Sequence, residues 1–245
     1  MHLPLRARSD SELIRLHDTA QASVGGFRRA TASHGSLIQS WVRGASVEAL
    51  EHYPAGGVVD RRRGSQFYYH CHRSGSSEHG HIHLFWHATR SGRRRNLGRI
   101  QAGKTSDDWI RAAPSHLVSI GLDSRGLPVS LFTVNHWVTG GYWFDAATTL
   151  ARVRRFELCG VEDHADSCAW ITAFVRLYEP LIARVLDARD RRLARMARTA
   201  PLETALDDRR IEVVSHARLD WSRDLQRLAD ELSMRGLGAA GAAQA

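Results

Sequence analysis

A chain of 245 residues that is 43% hydrophobic and 24% charged, with 6 prolines, has globular proportions. These exclude collagen-like, mucin-like and fully disordered readings, and the length lets one domain bury a core without disulfide staples. The net charge of +8 invites a nucleic-acid reading, but Lys104 is the only lysine and the arginines are dispersed over Arg61 to Arg63, Arg93 to Arg95, Arg152 to Arg155 and Arg189 to Arg198. The last group is interleaved with Asp187 and Asp190, the pattern of a solvated helix face. No helix-turn-helix, zinc-finger or RNP pattern turns this charge into recognition, so nucleic acid is a disfavoured partner.

No run reaches the roughly 20 apolar residues that span a bilayer, and the N-terminus lacks the apolar stretch of a signal peptide. Cys71, Cys159 and Cys168 are too few for a disulfide framework. A cytoplasmic location without membrane contact is the expectation.

The first fifty residues read as helices. Ser9 with Glu12 is a capping-box pattern, and Leu13, Leu16, Ala20 and Val24 follow at helical spacing. Gly25-Gly26 is expected to break this helix, and a second one is expected over about Ser36 to Leu50. From His52 to about Asp145 the chain reads as short strands punctuated by turns such as Gly56-Gly57 and Asp123-Ser124-Arg125-Gly126.

The helical period then returns over 165–198, with a kink or break at Pro180. A strand at Ile211 to Ala217 and a last helix from Asp220 or Ser222 to near Gly236 complete the pattern. The expectation is a single α+β domain over 1–245, a central antiparallel β-sheet or cupin-like barrel flanked by N- and C-terminal helices. Its parts are a helical flank (1–50), a β core (51–145), a mainly helical part (146–237) and a frayed tail (238–245).

Six of the 14 histidines lie between His70 and His87. Two strand-like runs, Ser65 to Arg73 and Glu78 to His87, flank Ser74-Gly75-Ser76-Ser77, a loop length that suits a hairpin. Pairing outward from Arg73 opposite Glu78 sets His72 against His79, His70 against His81 and Tyr68 against His83. Side chains alternate in a strand, so His70, His72, His79, His81 and His83 share one face with Tyr68. Phe67, Tyr69, Cys71, Ile82, Leu84 and Trp86 take the other.

Cross-strand neighbours sit about 4.5–5.5 Å apart at Cβ, a spacing from which imidazoles can converge on one metal ion. Neutral imidazole suits Zn, Fe, Cu and Ni, and the expected cofactor is a divalent transition metal, Fe, Zn, Cu, Ni or Mn. His70, His72 and His81 are the expected ligands, with His79, His83 or His116 completing the set. His116 is placed on the inward face of the next hairpin, in line with Val118 and Ile120. Tyr68 and Glu78 are candidate catalytic residues that position a small-molecule substrate or shuttle protons. A metal-free histidine network doing acid–base work is the plainer alternative. His87, His2, His17 and His34 read as surface residues.

Three resemblances attach to these residues. Gly64, five residues, then His70-x-His72 and a glutamate is similar to the opening of the first cupin motif, although Glu78 comes late and the hairpin register puts it on the face opposite the histidines. His79-Gly80-His81-Ile82-His83-Leu84-Phe85 resembles the run of the histidine-triad nucleotide hydrolases and transferases, with Gly80 in place of an apolar residue. That resemblance implies His81 as a nucleophile toward a nucleotide phosphate.

Finally, His52-Tyr53-Pro54, the stretch Gly64 to Arg73, Glu78 to His83 and Thr133 to Gly140 resemble an uncharacterised bacterial family with a domain of unknown function, over about 45–235. This family implies no activity. A histidine-rich metal-binding protein, acting as a metalloenzyme if it is an enzyme at all, is the leading reading. A histidine-triad-like transferase and a basic nucleic-acid-binding protein rank behind it.

Overall fold

The computed structural model describes residues 2–44, 46–71, 78–87 and 114–237. His72, the hairpin loop at 74–77 and the tail at 238–245 lie outside the described residues. The elements run α1 (Asp10–Ala32), α2 (Leu37–Val42), β1 (Tyr53–Asp60), β2 (Ser65–His70), β3 (Gly80–Trp86), β4 (Ser115–Leu122), β5 (Pro128–Val134), α3 (His136–Thr139), α4 (Ala146–Val153), α5 (Ala165–Leu177), α6 (Glu179–Met196), α7 (Leu202–Leu206), β6 (Val213–Arg218) and α8 (Trp221–Met234).

The strands pair antiparallel in sequential order, β1 to β6. The sheet is open, so of the two expected architectures the sheet is correct and the cupin-like barrel is not. Among the described residues, no helix is long and apolar enough to cross a membrane.

Alternation gives the sheet two different faces. Phe67, Tyr69, Ile82, Leu84, Val118, Ile120 and Leu131 are fully buried on one of them. They join one core with Leu13, Trp41, Trp170, Phe174 and Leu228 from the helices. Trp41 of α2 lies 5.6 Å from the Phe67 ring and 5.7 Å from that of Tyr69. Each such side chain contributes about 1.5–3 kcal/mol by leaving water, so this face anchors the sheet. The opposite face carries the histidines.

The helix ends reflect their local chemistry. The Ser9–Glu12 capping box is present, with Ser9 N–H donating to Glu12 at 2.8 Å. Ser36 caps α2, which stops after six residues where Arg43 and then Gly44 take positive φ, well short of Leu50. Pro180 separates α5 from α6 by sitting in the first turn of α6, where its missing N–H costs nothing. Asp220 caps α8, and Gly236 at φ +69° stands just past its end.

Gly25-Gly26 does not break α1, which runs on to Ala32. The reason is packing. A Cβ on Gly26 would lie 2.8 Å from the Trp170 backbone nitrogen, so the glycine lets α1 approach α5 closely. Phe27 then meets Trp170 edge-on at 5.6 Å. Gly26→Ala is expected to destabilise the fold by about 1–3 kcal/mol through overpacking against backbone, read as a lower urea midpoint with an unchanged slope.

Asp60, 1% exposed at the end of β1, ties the sheet to the chain before α5. The N–H groups of Arg62 and Arg63 donate to its Oδ1, and those of Cys159 and Gly160 to Oδ2, all within 2.9–3.1 Å. Burial by itself would raise this carboxyl; the four N–H groups together hold it below its ordinary 3.8. A depressed carboxyl stabilises the fold above its unfolded value and loses that contribution as pH falls through the folded one. Asp60→Asn should therefore lower stability at pH 7 by about 1–3 kcal/mol and flatten the acid limb of a pH–stability curve below about pH 4.

Candidate metal centre

The hairpin register is the one expected from the sequence. His70 pairs with His81 and Tyr68 with His83 across β2 and β3, while β4 presents Gly121 opposite His81 and Ser119 opposite His83. His70, His81 and His83 are 8%, 4% and 1% exposed. Their Nε2 atoms converge: His70 to His81 at 2.7 Å, His81 to His83 at 3.1 Å and His83 to His70 at 3.1 Å. Each offers one ligand atom, all lying within 4.8 Å of one another, so the group could hold a metal ion.

The other ring nitrogens are held from behind. His81 Nδ1 lies 2.9 Å from Glu78 Oε1, and the Ser130 hydroxyl donates to Glu78 Oε2 at 3.0 Å. A carboxylate oxygen accepts here, so the Nδ1–H of His81 donates to it and Nε2 is the nitrogen turned toward the other two rings. His83 Nδ1 lies 2.9 Å from Ser119 Oγ and 3.2 Å from His116 Nε2, which itself lies 3.0 Å from the same hydroxyl.

Burial, reinforced by His81, His116, His70 and His52, drives His83 well below its ordinary pKa. Burial, then the charge of Arg189 and of His81, brings His116 down to about 3. Both rings are thus neutral, the form that donates a lone pair.

A metal-free network fits this triangle poorly. Each Nε2 has one in-plane site, either a proton or a lone pair. One shared proton satisfies at most two of the three contacts and leaves two lone pairs facing each other. Three Nε2 atoms aimed at one point, with two of the rings held through Nδ1 by Glu78 and Ser119, is the donor arrangement of a histidine metal site.

The remaining predicted residues separate into those near this point and those away from it. Tyr68 borders it, with its ring 5.3 Å from His83 and 5.8 Å from His70, stacked 3.9 Å from His52 and 5.2 Å from Phe85. Burial lifts its hydroxyl to about 12. Glu78 corrects the expectation that it lies on the opposite face. It precedes the first residue of β3 and so escapes the strand alternation, and its carboxylate turns to His81. Gly121 makes this turn feasible, since a Cβ there would collide with the Glu78 carboxylate and the Ser130 hydroxyl.

His79 departs in the other direction. It also precedes β3, and its Nδ1 meets the Tyr69 hydroxyl at 2.7 Å, so it does not join the cluster. His116 reaches the cluster by a route that alternation does not reveal. The β3–β4 register slips between Leu84 and Phe85, setting Phe85 opposite His116. This bulge moves His116 from the Val118 face to the histidine face, where its Nε2 meets Nδ1 of His83 and not the Nε2 that faces the other two rings. His72 lies outside the described residues; among the described ones His83 supplies the third Nε2 beside His70 and His81.

His87, expected at the surface, is half-buried with Nε2 2.6 Å from Gln66 Oε1. Sequence reading missed Ser119, Gly121, Ser130 and His52. The signal for the first three was their small size at positions that alternate with the large apolar Val118, Ile120 and Leu131.

Residues 17–219 match the model of one family, described as Domain of unknown function (DUF6969). No curated protein and no solved structure matches the chain.

Long-range 1H–15N NMR of the metal-free protein should show His81 and His83 protonated at Nδ1. Gly121→Ala, by displacing Glu78, should turn the His81 signal into a tautomer mixture while leaving His83 unchanged. An Nε2-protonated His81 in the native protein would contradict the donor arrangement.

Proposed function

Because the chain belongs to the DUF6969 family, which carries no activity with it, we propose its function from the histidines themselves: it binds one divalent first-row transition ion through Nε2 of His70, His81 and His83. The observation that carries this reading is the convergence of three buried Nε2 atoms within 2.7–3.1 Å, two of them backed through Nδ1 by Glu78 and Ser119.

Carboxylate–histidine pairs of this kind orient the ring and raise its basicity toward the ion. Three protein ligands leave positions for water or substrate, the mark of a catalytic site. A metalloenzyme acting on a small molecule is the function this supports. Such an ion would polarise a bound oxygen or lower the pKa of bound water. Tyr68 borders the ion's position and is the residue set to orient a substrate; Glu78 acts through His81 and is a positioning residue.

No observation on the described residues favours the histidine-triad or nucleic-acid readings. Three free cysteines, Cys71, Cys159 and Cys168, suit a reducing cytoplasm.

Calorimetric titration of the metal-free protein with zinc(II) tests this. One saturating site per chain is expected, absent in folded His70→Ala and His81→Ala. Glu78→Gln should weaken binding by about 10–100-fold without abolishing it. Full affinity in both histidine variants would overturn the assignment.

A further inference from the structure

Behind His83 three polar atoms close a second triangle. Ser119 Oγ lies 2.9 Å from His83 Nδ1 and 3.0 Å from His116 Nε2, and the two nitrogens are 3.2 Å apart. Ser119 and His83 are both buried, so these contacts are made away from bulk water.

A serine hydroxyl has one hydrogen to give and lone pairs to accept with, and each ring nitrogen carries either a proton or a lone pair. Two proton arrangements therefore satisfy the chain. In the first, His83 Nδ1–H donates to Ser119, whose hydroxyl donates to a bare His116 Nε2. In the second every bond runs the other way: His116 Nε2–H donates to Ser119, whose hydroxyl donates to His83 Nδ1. A neutral His83 then carries its hydrogen on Nε2, the atom turned toward His70 and His81. Only the first arrangement leaves that atom open to an ion, so the choice between them rests on the metal-binding reading.

A backbone irregularity makes the His116 contact. Regular pairing would leave this ring in line with Val118 on the apolar face, and the slip between Leu84 and Phe85 turns it to His83. Bulges that re-aim one side chain in this way gather next to functional sites. Without an acceptor in place of His116, the Ser119 hydrogen has His83 Nδ1 as its remaining partner. A buried donor left unpaired is costly, so the hydroxyl would turn there.

We propose that His116 is a positioning residue of the metal centre: by accepting the Ser119 hydrogen through Nε2 it makes Ser119 an acceptor for His83 Nδ1–H, and so keeps Nε2 of His83 open to the ion.

Two variants separate this role from packing. His116→Phe removes the acceptor and keeps a ring for the edge contact with Phe85, 5.5 Å away. His116→Gln keeps an acceptor at a similar reach. Long-range 1H–15N NMR of the full-length metal-free proteins reads the tautomers, and calorimetry with zinc(II) reads the affinity. The native protein is expected to show His83 and His116 both protonated at Nδ1. In His116→Phe the His83 proton should move to Nε2 and zinc(II) affinity should fall by about 10–100-fold, the usual effect of losing a partner behind a metal ligand. His116→Gln should keep the Nδ1 tautomer of His83 and most of the affinity. Adding Ser119→Ala to His116→Phe removes the misdirected donor and should restore part of the affinity, where a purely structural defect would worsen.

An Nε2-protonated His116 in the native protein would overturn this inference and leave the metal reading intact. So would a folded His116→Phe protein whose His83 stays protonated at Nδ1, whatever its affinity. A native protein that takes up no zinc(II) would instead remove the metal reading, and this role with it.

Discussion

Three imidazole Nε2 atoms meeting at one buried point is the constraint on which the rest of this site depends. In water such nitrogens would separate and hydrate. Here β2 and β3 hold them together, because the pairing of His70 with His81 and of Tyr68 with His83 fixes the distance between the strands. The apolar face beneath locks that pairing. A slip of one residue would send Phe67, Ile82 and Leu84 to the histidine side and the histidines into the core. The hydrophobic layer therefore positions the polar site through register.

Around this point each neighbour has a defined task. Glu78 and Ser119 take the Nδ1 sides of His81 and His83. Gly121 leaves room for the Glu78 carboxylate, and Ser130 holds its second oxygen. Gly80, which departs from the histidine-triad pattern, is required where it stands, since a Cβ there would collide with the Tyr69 hydroxyl and the His70 carbonyl. The β3–β4 bulge supplies His116 behind His83.

Much of this was legible in the sequence because strand alternation is a local rule. The two-faced hairpin, its register, the capping box at Ser9 and the helix start at Asp220 are all set by neighbours in the chain. What was not legible depends on departures from the local rule. Glu78 and His79 precede β3, so alternation says nothing about where their side chains turn, and they turn opposite ways. His116 changes face through a bulge that only the pairing of two strands reveals. Gly25-Gly26 reads as a helix breaker until α5 is seen packed against it. The choice between barrel and open sheet was a matter of closure, which no segment encodes alone.

On the proposed reading this chain is a histidine metal protein whose polar shell keeps three neutral imidazoles aimed at one ion. That central claim is met most directly by elemental analysis of the untagged protein, purified without metal-affinity resin. Close to one transition-metal ion per chain, or its recovery on reconstitution, is the predicted result. A folded protein that holds no such ion under either condition would contradict it.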